Sequence, residues 1–199
     1  MKIKIAADVD DVLLNFMEPF LSFYNSRSGT AFKRRDMFSY LLEQVFGEPR
    51  EELEKKMNDF YFSNHFRNLP VVKGAKTALQ KLNENYEVII VTSRASTFYG
   101  LTEEALEQSF RGQYSAIFHS KDSYRKTGKT KAEICEEQKV SFLVEDCLKY
   151  AIECNSKRIP VFLMNAPWNQ GDLEGTLITR VRNWKEILLN LKETELLRN

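Results

Sequence analysis

Three carboxylates stand within four positions near the beginning of the chain, directly after an apolar segment. They are Asp8, Asp10 and Asp11 in the stretch "IAADVDDVLLNF" (residues 5–16). Like charges this close repel one another unless a cation neutralises them, and carboxylate and phosphate oxygens are ligands that Mg²⁺ prefers. A carboxylate can also attack phosphorus and carry the phosphoryl group as an aspartyl phosphate. The stretch therefore indicates Mg²⁺-dependent phosphoryl transfer, a chemistry that also uses a hydroxyl group and a lysine.

Further polar groups of the required kinds follow later apolar segments of the chain. The candidates are Thr92, Ser93, Arg94, Lys126, Lys129, Lys131, Glu145 and Asp146. Each has an ordinary structural interpretation when taken alone: a turn hydroxyl, a surface lysine, or an acid at the beginning of a helix. Their order favours the functional interpretation, because the elements that carry them would bring them to one place.

Those elements alternate between strand and helix from about residue 75 onward. Strands are predicted at 3–7, 86–92, 115–120, 140–146 and 159–165, and helices at 74–85, 102–110, 131–139, 148–156 and the C-terminal tail. Thr102 is interpreted as the cap of its helix. Alternation of this kind predicts an α/β fold, a parallel sheet with helices on both faces. Right-handed crossovers then place the carboxyl ends of all strands at one edge, where ligands bind in such sheets.

The segment between the first two strands contains no strand signal. Helical patterns occupy about 13–27, 36–46 and 50–62, and Pro19 is expected to kink or divide the first of them. We therefore expect residues 15–74 to form a helical cap over a core made of residues 1–14 and 75–199. The cap is rich in aromatic residues, most of which are expected to form its own core.

The composition excludes several classes of protein. Twenty-nine basic and twenty-eight acidic residues leave a net charge of +1, so nothing in the overall charge favours nucleic acid or an anionic membrane as a partner. The three cysteines form no CxxC pair, which fits reduced thiols and argues against a zinc site. No signal-peptide pattern and no apolar segment of about 18 residues is present. The sequence predicts a cytoplasmic protein.

The ordered motifs resemble those of the haloacid dehalogenase (HAD) superfamily of phosphatases. They are "DVDDV" (8–12), "VIIVTSR" (88–94), a lysine within 126–131, and "FLVED" (142–146). Within that superfamily, "DVDDVLLNF", "NLPVVKGAKTALQKL" and "IPVFLMNAPWNQ" are most similar to the 5′(3′)-deoxyribonucleotidases, the cytosolic type C 5′-nucleotidases, and their bacterial relatives. The resemblance implies a Rossmann-like three-layer α/β/α fold with a small helical cap after the first strand.

The resemblance also implies catalytic roles. Asp8 would be the nucleophile and Asp10 the general acid/base, while Thr92 would bind the transferring phosphoryl group and Lys131 would neutralise it. Lys131 fits best because it begins the helix before "FLVED", but Lys126 and Lys129 are alternatives.

The same resemblance implies a metal site and a substrate site. Mg²⁺ would be held by Asp8, the backbone carbonyl of Asp10 and Asp146, with Glu145 assisting. Phe16, Ser93 and Arg94 would contact the substrate. Three positions depart from the family pattern: Asp11 stands where relatives often have glycine, Glu145 where an aspartate is commoner, and Arg94 replaces a proline seen in some animal members.

Three functions remain open at this point. The first is a Mg²⁺-dependent phosphatase for a small-molecule phosphomonoester, with a nucleoside monophosphate favoured. The second is a phosphatase for a sugar phosphate or a polynucleotide end, suggested by Arg94 and the basic segment 121–131. The third is a non-catalytic member that binds a phosphate ligand. The sequence allows a monomer or a homodimer.

Overall fold

The computed structural model describes residues 2–121 and 127–196. Six strands form one sheet in the order β3-β2-β1-β4-β5-β6, and each neighbouring pair is parallel. The strands are β1 (Ile3–Ala7), β2 (Tyr86–Thr92), β3 (Ala116–His119), β4 (Leu143–Glu145), β5 (Val161–Met164) and β6 (Ile178–Val181). The predicted α/β class with a Rossmann-like parallel sheet is confirmed. The strand order reverses beside β1, so the crevice for a ligand lies where β1 ends.

Nine helices accompany the strands in the described part of the chain. They are α1 (Met17–Ser28), α2 (Leu42–Phe46), α3 (Arg50–Tyr61), α4 (Asn64–Arg67), α5 (Ala75–Asn85), α6 (Tyr99–Phe110), α7 (Lys131–Glu137), α8 (Leu148–Ser156) and α9 (Trp184–Leu196). None of these helices has the length and apolar character needed to cross a membrane.

Helices α1 to α4 all lie between β1 and β2, and the two ends of this segment are joined to each other. The backbone N–H of Asn15 donates to the carbonyl of Pro70 at 2.7 Å, and that of Val72 donates to Leu13 at 2.8 Å. The segment therefore leaves and re-enters the core at one point beside β1. We refer to this segment, residues 15–74, as the cap; its standing as a domain separate from the core stays a prediction.

Apolar layers cover both faces of the sheet. Ile5 and Ala7 face one layer and Ala6 faces the other, as the alternation of a strand requires. The first layer is continuous with the buried aromatic side chains of the cap. The cap and the core therefore share one apolar interior on that face of the sheet.

The structure differs from the predicted elements in several places. Strand β6 was not predicted. It is four residues long and lies at an edge of the sheet, and only its two end residues, Ile178 and Val181, are apolar and buried. Thr102 does not cap α6 but lies inside it, and its hydroxyl donates to the carbonyl of Phe98 at 2.9 Å. Pro19 does not divide α1, because it lies in the first turn, where its missing N–H needs no partner.

Candidate active site

Asp8 follows β1 directly and lies at the carboxyl edge of the sheet. Its backbone N–H donates to the carbonyl of Val144 at 3.0 Å, which holds it beside the end of β4. The side chain is buried. Burial raises the pKa of the Asp8 carboxyl to about 7, although the neighbouring Lys131 opposes that rise. A buried carboxylate at this edge is available as a nucleophile once a cation stabilises its charge.

Lys131 lies fully buried between two carboxylates. Its Nζ is 2.8 Å from Oδ1 of Asp8 and 2.7 Å from Oε2 of Glu145. Burial alone lowers the pKa of Lys131, but these two carboxylates outweigh burial and raise it well above the ordinary value. Lys131 is the first residue of α7, and the preceding Thr130 forms a capping box with Glu133 that fixes where this helix begins.

The two alternative lysines are placed differently. The ammonium group of Lys129 forms an exposed ion pair with Glu137 at 2.6 Å. Lys126 lies outside the described residues. Of the described lysines, Lys131 is therefore the one that the structure brings to Asp8.

Asp8, Glu145 and Asp146 form a buried acidic centre. Carboxylate oxygens of all three lie within 4.8 Å of one another. Burial raises the pKa of Asp146 well above its usual range, and the charges of Glu145 and Asp8 add to that effect. A hard divalent cation fits this donor set, because it replaces lost solvation and neutralises the repulsion between the carboxylates.

Glu145 differs from its two neighbours because both its oxygens are already engaged. Oε2 accepts the hydrogen bond from Lys131, and Oε1 accepts from the backbone N–H groups of Asp146 and Cys147 at 3.2 and 3.0 Å. Glu145 thus holds the lysine and supports the residues that precede α8. Its predicted assistance to the metal stays a prediction.

Thr92 is the last residue of β2 and is 1% exposed. Its Oγ1 accepts a hydrogen bond from the backbone N–H of Arg94 at 3.2 Å. The hydroxyl proton of Thr92 is then available to donate to an anion at the sheet edge. Ser93, between them, is half-buried.

Asp10 is held by Arg94 through a two-point contact. Nε of Arg94 lies 3.0 Å from Oδ2 of Asp10, and Nη2 lies 2.6 Å from Oδ1. The Arg94 side chain is 1% exposed, whereas that of Asp10 is 26% exposed. The structure therefore places Arg94 on the carboxylate that was predicted to act as general acid/base.

Asp11 has a structural role that explains its conspicuous position. Its φ of 54° lies in the left-handed region, which glycine adopts most easily. This agrees with the glycine that often stands here in the nucleotidases that the sequence resembles. Oδ2 accepts from the backbone N–H of Met17 at 3.0 Å, at the beginning of α1. Oδ1 forms an ion pair with Arg34 of the cap at 2.5 Å. The third acid of the opening stretch thus anchors the cap to the loop that follows β1.

One aromatic residue outside the sequence motifs contacts the acidic centre directly, and a second packs against a ring beside Lys131. The indole N–H of Trp168 donates to Oδ2 of Asp146 at 3.0 Å, and the guanidinium of Arg34 lies 4.6 Å from the Trp168 ring. Tyr40 of the cap is 37% exposed, yet burial raises the pKa of its hydroxyl well above the ordinary value. The Tyr40 ring packs edge-on against that of Tyr150, with centroids 6.0 Å apart, and the Tyr150 ring lies 4.8 Å from the ammonium group of Lys131.

Neither residue carried a decisive sequence signal. Trp168 stands in "APWNQG", a loop after β5, which could equally have been an anchor for the loop or a wall of the site. It is an anchor that also contacts the site. Tyr40 stands among many cap aromatics, and only the folded cap separates it from them.

Phe16 lies largely inside the aromatic core of the cap. It is 8% exposed and packs against Phe60 and Phe20, with ring centroids 5.2 and 5.9 Å away. Its ring also lies 6.0 Å from the Arg94 guanidinium carbon, so it borders the Asp10 side of the site. Most cap aromatics are buried as expected, but Phe38, Tyr40 and Phe62 are exposed.

Comparisons with known proteins agree with this geometry. The chain matches the family model described as 5′ nucleotidase, deoxy (Pyrimidine), cytosolic type C protein, over residues 1–193. It is 23% identical over 185 residues to the protein named "Putative nucleotidase YqfW" of Bacillus subtilis (strain 168), a match that covers 92% of this chain and 91% of that protein.

Solved structures share the fold over nearly the whole chain. A haloacid dehalogenase-like protein, ATU0790 of Agrobacterium tumefaciens, matches with a TM-score of 0.70 and 16% identity, covering 98% of this chain and 100% of that one. The HAD hydrolase YfnB of Bacillus subtilis, solved bound to magnesium, matches with a TM-score of 0.61 and 15% identity, covering 96% and 98%. With the family model matched from residue 1 to 193, the chain belongs to the cytosolic type C 5′ nucleotidase family of HAD-fold hydrolases.

Proposed function

We propose that this protein is a Mg²⁺-dependent phosphomonoesterase that hydrolyses nucleoside monophosphates through an aspartyl phosphate on Asp8. The observation that carries the proposal is the buried arrangement at the end of β1. There, Lys131 lies 2.8 Å from Asp8, and Asp8 shares an acidic centre with Asp146. Membership of a nucleotidase family supports the same reaction class.

In the first half of the reaction, Asp8 attacks phosphorus. A bond forms between a carboxylate oxygen of Asp8 and phosphorus while the bond to the ester oxygen breaks, and Asp10 gives a proton to the leaving oxygen. Thr92 donates a hydrogen bond to an oxygen of the transferring group, and Lys131 neutralises its charge.

In the second half, a water molecule attacks the phosphorus of the aspartyl phosphate. Asp10, now a carboxylate, takes a proton from that water, and the bond between Asp8 and phosphorus breaks to release phosphate. The acidic centre would hold the metal through Asp8 and Asp146, with the backbone carbonyl of Asp10. Bound Mg²⁺ would supply charge neutralisation for the nucleophile and the phosphoryl oxygens.

The substrate class rests on the family and on the aromatic cap. Phe16, whose ring lies 6.0 Å from the guanidinium carbon of Arg94, and Ser93 are the proposed substrate contacts. The predicted substrate contact of Arg94 itself stays a prediction. An aromatic surface suits a nucleobase, since stacking of a base on a ring contributes about 1–3 kcal/mol in single-strand binders. The relevant partner is then a small phosphoester, and the three buried free thiols fit a cytoplasmic location.

The test is phosphate release from nucleoside monophosphates, sugar phosphates and a 5′-phosphorylated oligonucleotide, each with Mg²⁺ and with EDTA. We expect the nucleotides to be hydrolysed fastest, with activity lost in EDTA and in Asp8→Asn. An Asp8→Asn protein as active as the parent would exclude the aspartyl phosphate. Faster hydrolysis of the oligonucleotide or the sugar phosphates would exclude the nucleotide as the preferred substrate.

A further inference from the structure

Arg94 is a buried cation whose polar contacts are unevenly satisfied. Nε and Nη2 together engage both carboxylate oxygens of Asp10, at distances of 2.6 to 3.2 Å. Nη1 is also buried but has no hydrogen-bond partner among the described residues. The guanidinium is therefore committed to Asp10 on one side and lacks a polar partner on the other.

Aromatic rings from three places in the cap lie close to this guanidinium. Its central carbon lies 4.9 Å from the ring centroid of Phe66 in α4 and 6.0 Å from those of Tyr61 in α3 and Phe16 just before α1. A cation is attracted to the face of an aromatic ring at these distances. The rings thus offset the cost of the unpaired N–H group and fix where the guanidinium lies.

We propose that Arg94 is a positioning residue that couples the packing of the cap to the orientation of the Asp10 carboxylate. The inference rests on the proposed function, because it takes Asp10 as the general acid/base. Among the described residues, Arg94 supplies the side-chain hydrogen bonds that the Asp10 carboxylate accepts. Without these hydrogen bonds, the Asp10 carboxylate, whose side chain is 26% exposed, is free to turn away from the ester oxygen.

The role predicts a dependence on the leaving group. When the ester bond breaks, Asp10 transfers its proton to the leaving oxygen, and this transfer matters most for a basic alkoxide. An alkyl phosphate such as a nucleoside 5′-monophosphate has such a leaving group. The p-nitrophenyl ester releases a weakly basic phenoxide and needs the proton less.

The experiment measures kcat and KM for a nucleoside 5′-monophosphate and for p-nitrophenyl phosphate with Arg94→Met, Asp10→Asn and the double variant. We expect Arg94→Met to lower kcat for the alkyl ester at least about tenfold more than for the aryl ester, with the smaller change in KM. The double variant is expected to match Asp10→Asn within about twofold, because Arg94 acts through Asp10. Arg94→Lys keeps the positive charge but cannot form the two-point contact with Asp10, so it should recover only part of the kcat lost in Arg94→Met.

Two matched controls separate positioning from general damage to the cap. Arg27→Met removes another arginine beside an aromatic ring, since its guanidinium lies 4.9 Å from the Phe23 ring. Arg27 pairs with Asp59 instead of Asp10, and both members of that pair are exposed. Phe66→Leu should show a weaker form of the Arg94→Met pattern. Phe32→Leu, which changes a cap ring without contact to Arg94, should not show it.

The outcomes distinguish this inference from the proposed function. Equal losses of kcat on the two esters, or losses in the double variant that multiply those of the single variants, would overturn the positioning role. A change confined to KM would instead make Arg94 a substrate-binding residue. If Asp10→Asn shows the leaving-group pattern and Arg94→Met does not, the inference fails while the proposed function stands. If Asp8→Asn stays active, the proposed function itself fails.

Discussion

At the scale of single residues, the centre of the site depends on one buried ammonium group. Lys131 separates Asp8 from Glu145, and none of the three is more than 5% exposed. Removing one partner of a buried ion pair leaves the other charge without compensation, which costs far more than the loss of an exposed pair. The lysine should therefore matter for folding as well as for catalysis.

We expect Lys131→Met to lower the free energy of unfolding by roughly 3–5 kcal/mol and to abolish phosphate release. Urea denaturation in EDTA measures the first effect, and a phosphate assay measures the second. Lys129→Met is the matched control, because its ion pair with Glu137 is exposed and should contribute less than about 1 kcal/mol. Equal effects of the two substitutions would mean that Lys131 is not the motif lysine.

The location of the principal polar residues of the site could be predicted because sequence and topology act together. Asp8, Thr92 and Asp146 each come at the end of a strand, and a parallel sheet brings such ends to one edge. The fork of Arg94 on Asp10 and the pairing of Asp11 with Arg34 could not be predicted in the same way. They depend on how long side chains cross between the core and the cap, which no local pattern records.

At the scale of elements, the loop after β5 braces the acidic centre. The indole N–H of Trp168 donates to the Asp146 carboxylate, and the Asn169 side chain donates to the Asp146 backbone carbonyl at 2.6 Å. Groups that orient a metal-binding carboxylate commonly tune its affinity for the metal. The loop should therefore affect the metal requirement of the proposed reaction.

We expect Trp168→Phe to raise the Mg²⁺ concentration needed for half-maximal activity about tenfold or more, since it removes the N–H group but keeps an aromatic ring beneath Arg34. Titration of activity with Mg²⁺ measures the change. Trp184→Phe is the control: it also loses an indole hydrogen bond, to the carbonyl of Val12 at 2.9 Å, but does not contact Asp146. A comparable shift in both variants would count against a specific brace.

The elements themselves were predictable where burial made their patterns strong. The five predicted strands and the helical segment between β1 and β2 all exist. Continuous apolar segments mark β1, β2, β4 and β5, which are largely buried, whereas the predicted β3 is half-buried at one edge of the sheet. Strand β6 has a neighbour on one side only, and its middle residues, Thr179 and Arg180, are polar, so a four-residue pattern could not reveal it. Tertiary pairing with β5, rather than local sequence, makes this segment a strand.

At the scale of the whole molecule, the charge imbalance is local. The chain carries a net charge of +1, whereas the acidic centre gathers Asp8, Glu145 and Asp146 around a single lysine. Burial raises the pKa values of Asp8 and Asp146, which means that their ionised forms are unfavourable in the metal-free fold. With the acidic centre as the proposed metal site, the fold gives up some stability to keep that site ready for a cation.

This cost predicts that Asp146→Asn stabilises the metal-free protein while weakening its response to metal. Removing one of the repelling charges should raise the free energy of unfolding in EDTA by about 0.5–2 kcal/mol, and the asparagine oxygen can still accept from Trp168. Mg²⁺ should raise the Tm of the parent, because it binds the folded state, and should raise that of the variant much less. Thermal denaturation with EDTA and with increasing Mg²⁺ measures both effects.

Asp59→Asn, which neutralises an exposed carboxylate paired with Arg27, should leave the response to Mg²⁺ unaltered. An Asp146→Asn protein that gains as much from Mg²⁺ as the parent would place the cation elsewhere.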